Sequence, residues 1–332
     1  MRAVVCDRLG DPSVLKIEER PVPVAGPADV LIRVGAASVN FPDVLMLSAG
    51  YQHKPELPFI PGMEGAGTVE QAGADVTTWK PGDKVIFGVR PGAMAEYIRL
   101  AASGNLMRLP DGWSFAEGSA FRVGATTAYH SLVHRARLRS GETLLVHGAA
   151  GGVGLAAVQL GKHLGARVIA TGGDDARLAV VRTLGADEVV NYRTTDFVAA
   201  VKQLTGGRGV DVVYDPVGGE VLENSMRCAA YGARLLVVGF TSGGPSKIMS
   251  NHLLIKGLTL LGVRAGETVR RQAASSGEDF GGDYARELPR LAALGVMRPH
   301  ISHRFPMERA AEAFQLLLDR KVVGKAVIEI AA

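Results

Sequence analysis

The pattern of hydrophobic and polar positions changes once along this chain, and the change predicts two regions of different structure. Over the first hundred residues, short apolar runs alternate with turns that contain Pro and Gly. Such runs predict strands, and they lie at residues 2–6, 30–34, 67–72, 84–87 and 95–99. We therefore expect a compact, mostly β region with irregular loops. Residues 115–134 then take on a helical pattern.

From residue 142 onward, continuous runs of Val, Leu and Ile alternate with segments of helical periodicity. The apolar runs lie at residues 143–147, 167–171, 188–191, 210–214, 234–238 and 258–263, and the helical segments at residues 153–163, 176–184 and 196–205. Continuous apolar runs between helices are typical of parallel strands that are buried on both faces. The predicted fold class is therefore α/β, with βαβ units in a doubly wound parallel sheet.

The last part of the chain is less regular. Residues 264–283 are polar and contain several glycines, so we expect a mobile loop with a frayed helix. Helices are predicted at residues 285–294 and 308–318, and a last strand at residues 325–330. Pro289 lies in the first of these helices and is expected to delay its start or to kink it.

Composition and charge exclude several classes of protein. Lys and Arg total 37 against 33 Asp and Glu, a net charge of +4 with no basic run, so nucleic acid and anionic membranes are not expected as main partners. The two cysteines, Cys6 and Cys228, are too few for a disulfide framework or a cysteine zinc site. The chain shows no secretory signal pattern and no apolar run of roughly 18 residues, so we expect a cytoplasmic protein that does not span a membrane.

The strongest chemical signal is the segment TLLVHGAAGGVGLAAVQLGKHLGARVIAT at residues 143–171. A glycine-rich turn follows a predicted strand and opens a helix, which is the arrangement that binds the pyrophosphate of a dinucleotide. Gly151 allows close approach of the main chain to the pyrophosphate, and Gly154 allows close packing of helix and strand. The residues predicted to contact the cofactor are Gly148, Ala150, Gly151, Gly152, Val153 and Gly154. Ala149 replaces the first glycine of the strict motif, and a plain turn that binds no nucleotide is the alternative.

The end of the second strand indicates which dinucleotide is bound. NAD sites usually place Asp or Glu there to bind the ribose 2′-hydroxyl, whereas this chain has Gly172, followed by Arg177. Without a carboxylate a 2′-phosphate is not repelled, and an Arg side chain supplies several donors to it. We therefore predict NADPH as the cofactor. Asp174 and Asp175 argue mildly against this choice, and Arg177 is alternatively a solvated helix residue.

Several motifs, taken in order, resemble the medium-chain dehydrogenase/reductase superfamily, and in particular its zinc-free quinone oxidoreductase (zeta-crystallin-like) branch. They are ASVNFPDVLMLSAGY (37–51), PGMEGAGTVEQAG (61–73), GATTAY (124–129), the glycine-rich segment above, GADEVVNYR (185–193), GVDVVYDPVGG (209–219) and VVGKAVI (322–328). The resemblance implies a GroES-like, mostly β catalytic domain at residues 1–123, completed by residues 268–332. It also implies a Rossmann domain at residues 124–267.

The resemblance also bears on metal binding and on the reaction. Zinc-dependent relatives bind a catalytic metal at positions that match Asn40, Met63 and Val123 here, and none of these is a usual zinc ligand. We therefore expect no metal. Hydride addition to an electron-poor C=C bond needs no Lewis acid, because hydrogen bonds can stabilise the developing oxyanion. The expected reaction is NADPH-dependent reduction of quinones or α,β-unsaturated carbonyl compounds.

Three residues are candidates for catalysis by resemblance. Asn40 is expected near the nicotinamide and the substrate, Tyr51 at the substrate pocket, and Thr127 near the nicotinamide. Asn40 and Tyr51 could hydrogen-bond to a substrate oxygen, and either Tyr51 or solvent could supply a proton. The alternatives are a buried turn residue for Asn40, a loop aromatic that covers the core for Tyr51, and a helix residue bonded to its own main chain for Thr127.

Further cofactor contacts are implied by the same resemblance. Tyr192 is expected near the adenine or the 2′-phosphate, and Lys325 is expected to reach a phosphate. Main-chain contacts to the nicotinamide are expected from Phe240, Thr241, Val263 and Arg264. Each of these residues is alternatively part of a turn or a solvated charge.

The predicted strand at residues 258–263 is a candidate edge strand. Relatives pair this edge across a two-fold axis, so we expect a homodimer. The expected partner is a small-molecule quinone or enone. An enone, enoyl-thioester or 2-haloacrylate reductase remains an alternative, as does an NADPH-binding protein of the crystallin or RNA-binding type.

Overall fold

The computed structural model describes residues 1–272 and 279–330. Contacts within the chain divide it into two compact units. The first unit comprises residues 1–123 together with the chain from Arg298 onward, and the second comprises Gly124–Met297. In the described residues, no helix has the length and apolar character that crossing a membrane requires.

The regular elements are numbered along the chain. The strands of the described residues are β1 (Arg2–Cys6), β2 (Leu15–Glu19), β3 (Asp29–Val39), β4 (Glu64–Ala72), β5 (Lys84–Gly88), β6 (Tyr97–Ala101), β7 (Leu106–Arg108), β8 (Thr143–Val146), β9 (Arg167–Gly172), β10 (Glu188–Asn191), β11 (Val210–Asp215), β12 (Ala229–Val237), β13 (Thr259–Gly262), β14 (Ile301–Pro306) and β15 (Lys325–Glu329). The α-helices of the same residues are α1 (Phe41–Leu47), α2 (Phe115–Ser119), α3 (Arg122–Tyr129), α4 (Gly152–His163), α5 (Asp175–Thr183), α6 (Phe197–Leu204), α7 (Glu220–Cys228), α8 (Ser250–Lys256), α9 (Ala265–Gln272), α10 (Phe280–Ala293) and α11 (Ala310–Leu318).

The first unit is built around a seven-stranded sheet. Its order is β14-β15-β3-β4-β5-β7, with β6 also paired to β3, and β1 and β2 form a separate antiparallel pair. All pairs in the large sheet are antiparallel except β14 with β15. Apolar residues such as Ile32, Phe87, Met94 and Phe314 form its core. The chain returns through β14, α11 and β15, so residues close to the C-terminus complete this unit.

The second unit contains a six-stranded sheet of order β10-β9-β8-β11-β12-β13, and every pair in it is parallel. All four residues of β8 are buried, which explains its uninterrupted apolar sequence. The strand order reverses at β8, which lies between β9 and β11. In doubly wound sheets, ligands bind outside the carboxyl ends of the strands at such a switch point. The predicted α/β class is confirmed.

The predicted domain boundary at residue 268 is wrong, because the first unit resumes only at Arg298. The helices α9 and α10 belong to the second unit. The Tyr284 hydroxyl on α10 lies 2.7 Å from Nδ1 of the buried His130, and the Asp283 carboxylate lies 3.0 Å from Nε2 of His134. These buried polar contacts, which no periodicity in the sequence indicates, hold α10 to residues 130–135.

Residues 264–283 were predicted to form a mobile loop with a frayed helix, but Ala265–Gln272 is helical and α10 already begins at Phe280. The rest of that predicted loop, residues 273–278, lies outside the described residues. Pro289 is inside α10 and does not delay its start. The residues before the proline keep the helix, because Asp279 caps it through the Gly282 N–H and Tyr284 and Leu288 are buried.

Candidate functional site

The glycine-rich turn lies at the carboxyl end of β8, at the switch point of the parallel sheet. Gly148 has a φ of 55°, a left-handed conformation that favours glycine, and the Gly151 N–H donates to its carbonyl oxygen over 3.0 Å. The helix α4 begins directly after Gly151. The turn therefore brings main-chain N–H groups and the positive end of a twelve-residue helix to one place, which suits a pyrophosphate.

Gly154 lies in the first turn of α4 and packs against the glycine-rich turn itself. A Cβ atom at this position would lie 2.4 Å from the Gly148 carbonyl oxygen and 2.8 Å from the Ala149 Cα atom. Both neighbours are main-chain atoms, which cannot move away as the end of a flexible side chain can. Gly154 thus allows α4 to pack closely on the turn, and the residues present fit a dinucleotide phosphate.

His147 anchors the start of this turn. It is 2% exposed, with Nδ1 2.8 Å from the Thr171 hydroxyl and Nε2 2.8 Å from the Ser225 hydroxyl. Ser225 donates its own proton to the Val221 carbonyl over 2.6 Å, so it accepts from Nε2–H, and the Thr171 hydroxyl donates to Nδ1. Burial lowers the pKa of His147 to about 3. The imidazole therefore stays neutral and joins β8 to β9 and α7.

The ends of β9 and β10 bring Gly172, Gly173 and Tyr192 together. Gly172 is buried at the end of β9, and its carbonyl accepts from the Tyr192 N–H over 3.0 Å. A Cβ at Gly173 would lie 2.8 Å from the Tyr192 Oη atom, so the aromatic ring lies against the Gly173 main chain. Tyr192 is 49% exposed and presents an aromatic face beside the position where an acidic residue would bind a ribose.

Arg177 lies in the first turn of α5, where Asp174 caps the helix by accepting from the Arg177 N–H over 2.9 Å. Its Nε atom is 4.0 Å from the same Asp174 carboxylate oxygen, which draws the guanidinium toward the cap. The sequence interpretation did not single out Arg193, which is exposed and directly follows Tyr192. The signal that could have found it is its place after the tyrosine in the motif NYR.

The ends of β12 and β13 lie on the other side of the switch point. The Thr241 N–H donates to the Pro216 carbonyl over 3.1 Å, and the Val263 N–H donates to the Val237 carbonyl over 3.0 Å. Both N–H groups are thus already used. The predicted main-chain contacts of Thr241 and Val263 with the nicotinamide can therefore be made only through their carbonyl groups. Phe240 is 41% exposed, and Arg264 is exposed with its carbonyl oxygen bonded to the Glu267 N–H.

Asp215 ends β11 between these two groups of loops. Its carboxylate accepts from the Val217 N–H over 2.7 Å and from the Gly218 N–H over 3.1 Å, and burial raises its pKa to about 6. It therefore holds the turn that follows β11. In the second unit, the predicted cofactor residues all follow the carboxyl ends of parallel strands or lie in the helices that begin there.

The prediction that Lys325 reaches a phosphate is contradicted by the structure. Lys325 is 5% exposed in β15 of the first unit, and its ammonium group lies 2.7 Å from Glu64 Oε1 and 2.5 Å from Asn40 Oδ1. The buried Glu64 carboxylate holds the cation because a charge out of water needs a partner. The motif VVGKAVI gives no sign of this, since it shows only a lysine at the start of a strand.

Four buried side chains of the first unit form a hydrogen-bonded network, which we call the Glu64 network: Ser38, Asn40, Glu64 and Lys325. Glu64 Oε1 accepts from the Ser38 hydroxyl over 2.6 Å and from Asn40 Nδ2 over 3.0 Å, in addition to Lys325. Its Oε2 accepts from the Val123 N–H over 2.8 Å. The strands β3, β4 and β15 lie side by side in the sheet, and this order places the four residues together.

Asn40 was predicted to hydrogen-bond to a substrate oxygen, and part of its side chain is already used inside this network. Nδ2 donates to Glu64 Oε1 and, over 3.2 Å, to the Ser38 hydroxyl oxygen, while Oδ1 accepts from Lys325. These two acceptors of Nδ2 are only 2.6 Å apart and share one N–H group, because the two N–H bonds of an amide point in widely different directions. The second N–H group of Asn40 has no partner among the residues that the structure describes. The alternative of a turn residue bonded only to its own backbone does not describe it.

Asp43 holds the main chain beside Asn40. Its carboxylate accepts from the Asn40 N–H over 2.9 Å and from the Gly62 N–H over 3.1 Å. Burial raises its pKa to about 7, against the lowering effect of these two hydrogen bonds. It fixes the start of α1 relative to the chain that leads into β4.

The other two catalytic candidates lie in different surroundings. Tyr51 follows α1, half-buried against the core of the first unit, and its hydroxyl has no hydrogen-bond partner among the residues that the structure describes. Thr127 is half-buried in α3, and its carbonyl accepts from the Ser131 hydroxyl over 2.6 Å. Tyr51 thus has a side-chain donor left for a ligand.

Comparison with known proteins follows this division of the chain. Residues 26–111 match the family model of the alcohol dehydrogenase GroES-like domain, and residues 152–276 match the model of the zinc-binding dehydrogenase. The chain is 36% identical over 331 residues to quinone oxidoreductase-like protein 2 of Rattus norvegicus, covering 99% of this chain and 92% of the relative. The chain belongs to the quinone oxidoreductase family of medium-chain dehydrogenases/reductases. The resemblance inferred from the motifs is confirmed.

Solved structures of this family agree. The structure of Escherichia coli quinone oxidoreductase complexed with NADPH has a TM-score of 0.88 at 29% identity, covering 99% of this chain and all of that chain. A 2-haloacrylate reductase has a TM-score of 0.81 at 28% identity, with both chains fully covered. The GroES-like domain and the Rossmann-like parallel sheet expected from the sequence are both confirmed.

One matched family model describes zinc-binding dehydrogenases, so the fit of a metal can be tested on the donors present. The structure brings Asn40 and Val123 to Glu64, which directly follows Met63. An amide, a thioether and an aliphatic side chain are a poor donor set for zinc, and the Glu64 oxygens already accept four hydrogen bonds. Among residues 1–272 and 279–330, no group of three or more His, Cys, Asp or Glu is placed to hold a metal ion. These residues do not fit a zinc ion.

Proposed function

We propose that this protein is an NADPH-dependent reductase of quinones and related electron-poor C=C bonds that works without a metal ion. The observation that carries the proposal is the glycine-rich turn and α4 N-terminus at the switch point of the parallel sheet. The Escherichia coli relative, which is named a quinone oxidoreductase and was solved with NADPH, supports both the reaction and the cofactor.

The second unit supplies the groups that would hold the dinucleotide. The main chain at residues 148–154 suits the pyrophosphate, and the ends of β12 and β13 would contribute carbonyl groups and the Phe240 ring at the nicotinamide. When bound, NADPH supplies a hydride. The protein's part is then to orient the two reactants and to place hydrogen-bond donors at the oxygen that gains negative charge.

The first unit supplies the candidate donor to that oxygen. One Asn40 N–H group is occupied by Glu64 and Ser38, whereas the Tyr51 hydroxyl has no partner in the part of the chain that the structure describes. We assign to Tyr51 the hydrogen bond to the acceptor's carbonyl oxygen. A quinol or enolate spreads its charge over a conjugated system, so one such donor together with solvent is sufficient for the reaction.

The preference for NADPH over NADH rests on the end of β9. Gly172 offers no carboxylate to a ribose hydroxyl, and Tyr192, Arg177 and the exposed Arg193 surround the adjacent loops. Arginine binds phosphate through several charge-assisted hydrogen bonds. We expect Arg193→Ala to weaken NADPH binding by about 10- to 150-fold and to leave NADH binding nearly unchanged, since one such bond contributes about 1.5–3 kcal/mol. Arg182→Ala, which alters an exposed arginine late in α5, is the control.

The test of the function is NADPH oxidation by the purified protein with simple quinones, enones, enoyl thioesters and 2-haloacrylates as acceptors. Quinones should give the highest kcat/KM. The structural similarity to a 2-haloacrylate reductase favours small activated alkenes as the second candidate substrates. Tight NADPH binding without turnover of any acceptor would favour a binding protein instead of a reductase. Failure to bind NADPH would contradict both the reductase and the binding protein.

We also propose that the protein is a homodimer. The strand β13 pairs with β12 on one side only, and no strand of the described residues pairs with its other edge. An exposed apolar surface lies beside it: Tyr231 and Leu254 are each 84% exposed, and Ile255 is 69% exposed. Unpaired apolar edges favour pairing with a second copy. The expected mass in solution is that of a dimer, and Leu254→Glu should shift it toward the monomer while Leu294→Glu does not.

The state of the cysteines supports the expected cytoplasmic location. Cys6 and Cys228 are both buried and unpaired, and burial raises the pKa of each thiol. Free thiols persist in reducing compartments. Location of a fluorescent fusion in cells tests this proposal, and export from the cytoplasm would contradict it.

A further inference from the structure

We propose that Lys325 is a positioning residue for Asn40. In this proposal, Lys325 and Glu64 together hold the Asn40 amide in one of its two orientations. The inference rests on the proposed function, because it concerns a residue expected beside the nicotinamide and the substrate. It assigns to Lys325 in β15 the orientation of Asn40, in place of the phosphate contact that the sequence predicted.

The geometry places opposite charges on the two ends of one amide. The Lys325 ammonium lies 2.5 Å from Asn40 Oδ1, and the Glu64 carboxylate lies 3.0 Å from Asn40 Nδ2. Asn40 and Lys325 are each 5% exposed, and Glu64 is fully buried. The cation therefore faces the amide oxygen and the anion faces the amide nitrogen, both out of contact with bulk water.

This pairing selects one of the two orientations of the amide. A rotation of the amide by 180° would place the NH₂ group against the ammonium and the oxygen against the carboxylate. Both contacts would be repulsive, and a buried site strengthens such repulsion. The Ser38 hydroxyl adds to the selection, since it donates to Glu64 over 2.6 Å and thus presents a lone pair to Asn40 Nδ2. The orientation follows from charge as well as from packing.

The count of donors and acceptors gives the consequence. An Asn side chain has two N–H donors and an oxygen with two acceptor positions. Glu64 Oε1 and the Ser38 oxygen lie 2.6 Å apart and share one of the donors, and Lys325 uses one acceptor position. One N–H donor and one acceptor position on Oδ1 remain. The group that the oriented amide fits is therefore one that offers an acceptor and a donor side by side, such as a carboxamide.

A structural alternative must be separated from this proposal, because Lys325 also neutralises the buried Glu64. The separating variant is the double substitution K325M/E64Q, which removes both charges together and leaves no unpaired ion. The glutamine introduced by E64Q can still accept from Ser38 and from Asn40 Nδ2 through its amide oxygen. The double variant cannot restore two contacts: the cation on Asn40 Oδ1 and the acceptor of the Val123 N–H, which is Glu64 Oε2 in the wild type.

The experiment compares the wild type, K325M/E64Q, Asn40→Ala and the triple variant that combines them. In K325M/E64Q, we expect a moderately lower thermal stability, because the Val123 N–H loses its acceptor, and a kcat for quinone reduction that is lower by about tenfold or more, as for loss of a hydrogen bond to a charged group. Asn40→Ala should show a similar loss. The triple variant should be no worse than Asn40→Ala, because Lys325 acts only through Asn40.

A second readout does not depend on turnover. The bonded Asn40 side-chain amide proton should exchange slowly with solvent in the wild type, seen by NMR. It should exchange faster in the K325M/E64Q variant, because the amide is then no longer held in one orientation by opposite charges. Wild-type activity of K325M/E64Q, or of Asn40→Ala, would overturn the proposal, as would unchanged protection of the amide in the double variant. If the wild type reduces no acceptor, the proposed function fails, and the NMR result alone then decides whether Lys325 positions Asn40.

Discussion

The two units of this protein build their functional groups in different ways. In the second unit, the candidate cofactor site consists largely of main-chain atoms and glycines in one turn, residues 148–154, at the end of a buried strand. In the first unit, the Glu64 network consists of side chains from three strands, and Lys325 is 261 positions away from Glu64 along the chain. A main-chain site leaves a local pattern in the sequence, whereas a side-chain network of this kind does not.

The largest effect is expected from breaking the Glu64 network. Glu64→Leu leaves the 5% exposed Lys325 without its counter-ion, and removal of one partner of a buried pair costs about 3–5 kcal/mol. The free energy of unfolding, measured with urea, should fall by this amount. Glu70→Leu is the control on the same strand, because Glu70 is exposed and should change stability by about 1 kcal/mol or less. Equal effects of the two variants would show that the network is not needed for the fold.

The matching test of the second unit is Gly154→Val. The new side chain meets the main chain of Gly148 and Ala149, and a main-chain shift forced by overpacking costs about 1–3 kcal/mol. NADPH binding, measured by titration, should weaken up to about 100-fold, which is the upper end of that range. Gly244→Ala is the control, since a Cβ there meets no atom within 4 Å. Unchanged NADPH affinity in Gly154→Val would contradict the assignment of the turn as the pyrophosphate site.

A smaller effect is expected where the first unit meets the substrate. Tyr51→Phe removes the hydroxyl that we assign to the acceptor's oxygen, and loss of one hydrogen bond to a developing charge corresponds to about tenfold in kcat. The NADPH affinity should not change. Tyr97→Phe, a half-buried tyrosine in β6, is the control. Equal kcat values for Tyr51→Phe and the wild type with every acceptor would contradict this assignment and would leave Tyr51 as a loop aromatic that covers the core.

The last effect depends on pH and concerns acid stability of the second unit. The folded pKa of His147 is about 3 and its ordinary value is 6.5, so between these values the unfolded chain binds one more proton than the folded protein. Stability is therefore lost as the pH falls through this window, at up to about 1.4 kcal/mol per pH unit. His147→Gln can keep both hydrogen bonds without titrating.

Urea unfolding of the His147→Gln variant between pH 4 and 6 should therefore show a smaller dependence on pH than that of the wild type. His163→Gln, which changes an exposed histidine at the end of α4, should leave the dependence unchanged. Identical slopes for His147→Gln and the wild type would mean that the buried imidazole does titrate in the folded protein.

The comparison also explains which features could be predicted from the sequence. The turn at residues 148–154 and the βαβ strands were predictable because glycine and apolar periodicity act locally. The resemblance to the family singled out Tyr192 as a cofactor contact, but it did not indicate that the ring lies against Gly173. Arg193 went unnoticed because an exposed arginine after a strand has many ordinary explanations.

The errors share a physical cause, which is that buried polar contacts join distant segments. Lys325 was predicted to bind phosphate because its motif does not show that Glu64 lies beside it. The boundary at residue 268 was wrong because the pairing of Tyr284 with His130 holds α10 in the second unit. Asn40 was singled out by resemblance, but the orientation of its amide depends on Lys325, which only the three-dimensional structure places there.

The most direct test of the central claim is the rate of NADPH-dependent quinone reduction by protein from which bound metal has been removed with a chelator. The claim is that hydride transfer here depends on a dinucleotide site in one unit and on hydrogen bonds, without a metal ion, in the other. We expect the same rate before and after chelation and no increase when Zn²⁺ is added. Loss of the activity on chelation, with recovery on addition of Zn²⁺, would contradict the claim.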